Sequence, residues 1–566
     1  MLIRSKENTF TARFAGGDES VFLKGIALLE ILEFIRPPNP DTIVLAKVNN
    51  RVRNLHESVE DNCSIEWIHL EALEAIRSYQ KTLCFVFLRA VQELYPDCKI
   101  RVEQFLVNGL YWKSCGGRRI GRRMVNKIKT RMQEIIRNDE SIQPVTLLRN
   151  QAMAFFDEVK QRPILFLENQ ERARISLYQS GKFEDYLGYP LFHSTGYLRC
   201  FDLQYRSQGM LLIFPESHNL DRLSPHGRQE TLFKVYDEYN RWKEIIGFQE
   251  VGDVNDAVGE ETISDMIQLA EGIHEKKITA IADMVIRRRK RLRIVLIVGP
   301  SSSGRDVFTQ RLGMHLRVNG FKPIIISVKD YFLDDEQFPE EMVDDFKSES
   351  SRIFDASHLN DDLKRLLRGE KVQLPRYDTE KEKRILSPPC RLGPQQTIFV
   401  QGSRNLFDQT VTEIARNAKL YVYIDVLTHL NITNHLRIDP GDVGVLRCLI
   451  RHHYFRNLSV EDTITHWPQV CDEKDEKIYF LLKESNIIFN SFLFYEPCVL
   501  RVMGKPILAA VKPEHPSYPE AQRLLQLLLC FSPVSSYNVP SNSILREYIG
   551  STRFDSLHNP ESVREK

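Results

Sequence analysis

The stretch IVLIVGPSSSGRDVFTQRL, Ile294 to Leu312, decides the fold. An apolar run leads into a Gly- and Ser-rich turn, and the turn opens a segment of helical character. A phosphate loop has this order and reads G-x-x-x-x-G-K-[ST]. Its backbone N–H groups and helix N-terminus hold phosphates, the Lys reaches the terminal phosphates, and the hydroxyl holds Mg²⁺. Gly299 and Gly304 have the required spacing, with Ser301, Ser302 and Ser303 between them. Arg305 and Asp306 follow, where that chemistry wants Lys and then Ser or Thr. The architecture is that of a phosphate loop and the chemistry is altered.

Outward from the loop, buried apolar runs alternate with helical stretches: LRIVLIVG, a helix to Val318, KPIIISV, a helix around Leu359 to Leu367, QTIFVQG and KLYVYIDV. That alternation predicts a parallel sheet with right-handed crossovers. Upstream, residues 1–65 mix short β-like runs (TFTARF, TIVLAKV, CSIEWI) with one helical segment, GIALLEILEFI, which suits a small β-grasp module. Residues 66–225 read as a second, α+β domain, helical in LEALEAIRSYQKTLCFVFLRAVQELY and RRMVNKIKTRMQEIIRN and strand-like in GYLRCFDLQY and GMLLIFP. Charged helical sequence, Phe233 to Gly247 and Thr262 to Arg289, makes 226–290 a connector without the Gly, Ser and Pro runs of a flexible linker. The expected fold class is therefore α/β multidomain, with a P-loop domain over 291–505 and a C-terminal extension over 506–566.

Composition bounds the function classes. A chain of 566 residues is too long for one core. Hydrophobic residues are 42%, charged residues 27% and the formal net charge +1, so no global field draws the chain to nucleic acid or membrane. The ten cysteines contain no C-x-x-C pair and read as reduced thiols. The N-terminus MLIRSKENTF lacks an apolar signal region, and runs such as LLQLLLCF fall far below the roughly 20 residues a membrane span needs. A soluble, cytoplasmic protein without a membrane partner is expected.

Residues 292 to about 505 resemble the uridine kinase and phosphoribulokinase family of P-loop proteins, through VGPSSSG, ISVKDYF, LPRYDTEKEKR, IFVQG, LTHLNITNHLRI and WPQV, with FNSFLFYE and SNSILREYIG further on. The front half resembles the TGS module (FLKGIALLEIL, AKVNNRVRNL) and the second N-terminal domain of threonyl-tRNA synthetases (FHSTGYLRCFDL). This order resembles that of a bacterial family of multidomain nucleoside kinases.

The resemblance implies a kinase site, and most of its chemical positions are changed. Arg305 replaces the loop Lys and Asp306 the Mg²⁺-binding hydroxyl; Arg keeps the charge as a broad planar fork, while Asp opposes phosphate at a helix N-terminus. Lys329 stands where the family has the acid that accepts the substrate proton, Asp330 falls one position later, and Gln401 replaces a second acid. Arg447, Arg451 and Arg456 remain as candidate phosphate contacts, but Gly444 and Cys448 stand where relatives have further arginines, and Asn486 replaces an Asp. Tyr377, Asp378 and Arg384 are retained in the segment that contacts the nucleoside. An internal Arg305–Asp306 salt bridge and ligand binding are both open readings of the loop.

In the synthetase-like half, the resemblance implies an editing site with an H-x-x-x-H helix and a later Cys-x-x-x-His. The helix here has no His, the later pair aligns with Leu187 and Leu191, and His193 is at neither position. No metal, and in particular no zinc, is expected. The RRRKRLR run from Arg287 ends a helix, where cations are favoured. The leading expectation is a degenerate uridine-kinase-like protein, a pseudokinase that binds ATP and Mg²⁺, or a nucleoside, weakly or not at all. An active divergent nucleoside kinase, with Asp330 as base, is the alternative. A third is an RNA- or ribosome-associated protein acting through the TGS-like half, in which Asn49, Asn50 and Arg51 lie in the most family-like segment.

Overall fold

The computed structural model describes residues 8–106, 108–158, 174–216, 219–223, 230–332, 355–378, 383–403, 415–471, 482 and 485–554. It is an α/β multidomain chain. The first module is a five-stranded sheet in the order Glu19–Leu23, Thr9–Phe14, Cys63–His69, Ile43–Val48, Arg51–Arg53, closed on one face by the helix Leu28–Ile35. Thr9–Phe14 and Cys63–His69 run parallel, the β-grasp crossover, and Phe10, Ala12, Leu28, Ile31, Ile43 and Ile65 form its core. The edge strand Arg51–Arg53 was invisible to periodicity because it is only three residues long.

The second domain packs the long helix Leu73–Leu94 and the helix Arg122–Arg137 against a four-stranded antiparallel sheet, in the order Asp202–Arg206, Gly209–Ile213, Gly109–Gly116, Lys99–Leu106. Three helices follow, Glu230–Ile246, Val251–Gly259 and Ile263–Arg288. They are structural parts of their neighbours. Leu232, Tyr236 and Tyr239 of the first share one core with Leu211 and Ile213 of the second-domain sheet and with Ile294, Leu296 and Val298 beside the loop. Ile278, Ile281 and Val285 of the third pack on Phe308 and Leu312. Arg287 and Arg288 sit in the last turn of that helix, where the dipole favours cations.

The P-loop sheet is parallel throughout, in the order Ile324–Ser327, Ile398–Gly402, Ile294–Val298, Lys419–Asp425, Ile487–Asn490. All five residues of Ile294–Val298 are buried, as a central strand covered on both faces requires. The fifth strand, IIFN, is too short to show a period. The segment LTHLNITNHLRI seals this domain to the second one. Asn431 donates its side-chain amide to the Val102 carbonyl (2.8 Å), Val102 N–H donates to the Asn434 carbonyl (2.9 Å), and His435 Nδ1 meets Asp185 (2.7 Å). Arg437, buried here, donates to the Thr428 carbonyl and to Asn431 Oδ1. No helix among the described residues is long and apolar enough to cross a membrane.

Candidate functional site

Gly299 ends the central strand, and Gly304, at φ +77°, starts the helix Arg305–Val318. A Cβ on Gly299 would overlap the Ile424 carbonyl and Ser303 Oγ, so the loop is drawn as tightly over the strand ends as a phosphate loop needs. A Cβ on Gly304 would overlap something else: Ile544 Cγ2, from the far C-terminal region. The segment SNSILREYIG lies directly against the loop.

Its Glu547 sits at the N-terminus of the loop helix. One carboxylate oxygen accepts the backbone N–H of Val307 (3.3 Å), in the first turn of the loop helix, and the other faces Arg451 Nη1 at 3.4 Å. Burial, then the neighbouring Asp306, push this carboxyl up, while Arg451, Lys329 and the Val307 amide work against them. Tyr548, fully buried, lies beneath both Arg447 and Arg451, whose guanidinium carbons are 5.1 Å and 5.3 Å from its ring centre. A carboxylate of the chain itself thus meets the N-terminal end of the loop helix, the end that attracts anions.

The predicted cations are placed around this plug. Arg447 is completely buried and pairs through two nitrogens with Glu496 (Nη2–Oε2 2.7 Å). Its Nη1 donates to the Ser302 carbonyl (2.8 Å) and Ser491 Oγ (3.0 Å). Burial works against its charge, and Glu496 more than restores it, so its pKa lies above the ordinary arginine value. Arg451 donates to the Ser301 carbonyl (3.2 Å). Both arginines thus clasp the loop by its carbonyl oxygens. Arg456 lies exposed at the end of the same helix, Pro440–Phe455. Gly444 is where that helix touches the loop: a Cβ there would already come within 3.0 Å of Ser302 Oγ.

The altered loop positions are internally paired. Arg305, buried, donates to the Gly299 carbonyl (2.9 Å) and lies 3.5 Å from Asp306. Asp306 also pairs with Lys329 at 3.1 Å. A cation at the strand end thus faces an anion on the loop. These residues do not fit Mg²⁺: the side chain at the metal position is held by an ammonium group. Asp330 turns away, accepting the backbone N–H of Tyr377 (3.0 Å). Gln401 is buried, and its side-chain oxygen has no hydrogen-bond partner among the described residues. Asn486 joins the sheet, exchanging hydrogen bonds with the Tyr421 backbone. Tyr377 and Arg384 are register partners in a hairpin, where Arg384 donates to the Phe332 carbonyl (2.7 Å). The side chain of Asp378 lies outside the described residues.

In the second domain, Leu187 and Leu191 are core residues. Ser78 and Thr82, one helical turn apart, bind their loop directly: Ser78 Oγ donates to the Pro190 carbonyl, and Thr82 Oγ1 accepts the Phe192 N–H (3.0 Å). His193 lies between an edge-on His56 ring and a tilted Tyr197 ring, and burial, then His56, lower it to about 4. Ser78 and Thr82 thus hold residues 190–192 to the long helix, beside the buried Leu187 and Leu191. In the first module, Asn49 accepts the Ser64 N–H (2.9 Å), Asn50 donates to the Pro513 carbonyl (2.7 Å), and Arg51 donates to the Tyr518 hydroxyl (3.3 Å). Asn50 and Arg51 thus tie the first module to the C-terminal region, while Asn49 and Arg51 stay exposed. Glu547, Tyr548, Ile544 and Glu496 were not singled out from sequence, although FNSFLFYE and SNSILREYIG, which carry them, were.

No protein-family model matches the chain. Among curated proteins it is similar to threonine–tRNA ligases, 26% identical over 189 residues to that of Acetivibrio thermocellus and 29% over 189 residues to that of Syntrophomonas wolfei. Each match covers 33% of this chain and 30% of the ligase, so the chain spans about a third of the relatives' length. Among solved structures, a possible uridine kinase from Bacillus stearothermophilus aligns at 16% identity and TM-score 0.25, over 38% of this chain and 98% of that one. A D-glycerate 3-kinase from Cryptococcus neoformans aligns at 11% identity and TM-score 0.20, over 45% and 88%. The chain thus joins an N-terminal region similar to threonine–tRNA ligases to a P-loop domain with a five-stranded parallel sheet.

Proposed function

We propose that the P-loop domain is a closed relative of nucleoside kinases that transfers no phosphoryl group and serves as a rigid body for the synthetase-like half. The observation that carries this reading is Glu547 on the Val307 N–H, an internal carboxylate in the phosphate position. Phosphoryl transfer depends on a clamped polyphosphate, Mg²⁺ and a positioned base. In this chain Arg447 and Arg451 are paired with Glu496 and Glu547, Asp306 with Lys329, and Asp330 is turned toward Tyr377. ATP and Mg²⁺ therefore bind weakly or not at all. Incubation with labelled ATP, Mg²⁺ and uridine or cytidine tests this: no labelled nucleotide is expected. Turnover at about 1–100 s⁻¹, ordinary for kinases, would establish the divergent-kinase reading instead.

A second reading concerns the front half. Its similarity to threonine–tRNA ligases favours an RNA-associated role, whose partner would be bound outside the P-loop site.

A further inference from the structure

We infer that the exposed basic surface Arg118–Lys127 of the second domain docks the sugar-phosphate backbone of RNA, which rests on the RNA-associated reading of the front half. Between Lys113 and Gln133 the chain carries eight Lys and Arg and no Asp or Glu, within a protein of net charge +1. Three of the eight are paired: Lys113 lies 3.9 Å from Asp237, Lys129 2.6 Å from Asp202, and Arg131 meets Glu93 and Glu134. The other five, Arg118, Arg119, Arg122, Arg123 and Lys127, are exposed and have no ion-pair partner among the described residues. So dense an uncompensated cluster costs self-repulsion, which a polyanion relieves.

The surface has the shape of a backbone reader. Gly116 and Gly117 leave the hairpin end without side chains, and Gly121 begins the helix Arg122–Arg137 with no capping side chain and no acid in its first turn. Arg123 and Lys127 stand one turn apart on that helix, about 6 Å along its axis. Four of the five cations are arginines, whose planar fork matches phosphate oxygens. Arg118 covers the ring of Tyr95 (5.0 Å) and Arg122 that of Tyr205 (5.9 Å), which leaves phosphate contact rather than base stacking as the mode of binding. A membrane surface suits the patch less well. The helix's apolar side, including Met124, Val125, Ile128 and Met132, is already buried in the domain core and offers nothing to a bilayer.

The test is fluorescence anisotropy with the full chain and a labelled RNA hairpin whose stem is about one helical turn long. Five phosphate contacts predict a slope of log K against log[salt] of about −3.5 to −4.5, a loss of roughly one hundred- to five hundredfold between 50 and 200 mM salt. The triple variant Arg119→Gln, Arg123→Gln, Lys127→Gln should lose at least about tenfold in affinity and flatten the slope by about 2 to 3. Its far-UV circular dichroism should match the native chain, since all three side chains are exposed. Hairpins of unrelated sequence should bind alike. Arg287→Gln with Arg288→Gln, an exposed basic pair elsewhere, should leave the affinity unchanged. If the hairpin binds but the triple variant binds equally well, or the control pair loses as much, the surface assignment is overturned and the RNA reading stands. No binding at 50 mM salt overturns both, as does capture only of phosphatidylserine vesicles or polyglutamate.

Discussion

Glu547 and Val307, 240 positions apart in sequence, meet through a carboxylate and a backbone N–H at 3.3 Å, at the spot where a phosphate loop presents its helix to a ligand. A helix N-terminus attracts any anion, and an internal one has an effective concentration no free nucleotide can match. Removing the carboxylate should therefore uncover the site. Glu547→Ala should bind pyrophosphate measurably by calorimetry, while the native chain should not bind it at millimolar concentration. Glu547→Gln keeps the shape of the plug and should remain closed. Equal affinity of native and Glu547→Ala chains would show that the carboxylate does not guard the loop.

Arg447 and Glu496 are both completely buried. Arg447→Met strands a carboxylate and should cost about 3–5 kcal/mol of stability in urea unfolding. Replacing both partners, Arg447→Met with Glu496→Leu, should recover most of that loss. If the single variant unfolds like the native chain, the pair does not hold the loop domain together and Arg447 is available for another role.

These residues show what the sequence made legible. The strand–loop–helix order and the buried strand IVLIV were visible because glycine spacing and apolar runs are local signals. The substitutions Arg305, Asp306 and Lys329 were visible too, Arg305 and Asp306 as a possible pair but Lys329 as a separate loss. Their meaning lay in a contact between Asp306 and Lys329, 23 positions apart, that no period encodes. The plug was harder still. SNSILREYIG was visible only as one motif of the resemblance, and only the fold brings Ile544 over Gly304. The contacts of Asn50 with Pro513 and of Arg51 with Tyr518 were out of reach for the same reason, since each joins residues more than 460 positions apart.

Lys243 gives the seam between the domains a pH dependence. It is buried and donates to the His429 carbonyl (2.8 Å). Burial, then the nearby Arg437, lower it to about 7, whereas the unfolded chain holds its proton until about 10.5. Between these values the unfolded state binds the extra proton, so stability should rise with pH by roughly 1.4 kcal/mol per unit at most. The melting temperature of the native chain should increase from pH 7 to 9 relative to Lys243→Met, which lacks the titration. Parallel profiles would mean that Lys243 keeps its charge in the fold.

Restoring the loop is the most demanding test of the closed-site reading. By sequence alone, Arg305→Lys with Asp306→Thr should recreate a Mg²⁺-dependent phosphate loop, since both substituted positions then carry the resembled chemistry. The structure predicts that this double variant fails. Glu547 still accepts the Val307 N–H, Ile544 still covers Gly304, and Lys329, having lost Asp306, is left close to the metal position. Adding Glu547→Ala and Lys329→Asp removes the internal anion and returns an acid to the strand end. The fourfold variant should then bind ATP in calorimetry more tightly with Mg²⁺ than without it, by about tenfold or more, while the double variant stays at background. Mg²⁺-dependent ATP binding by the double variant alone would show that the C-terminal segment leaves the site of its own accord, and that the two loop residues, not the plug, keep nucleotide out.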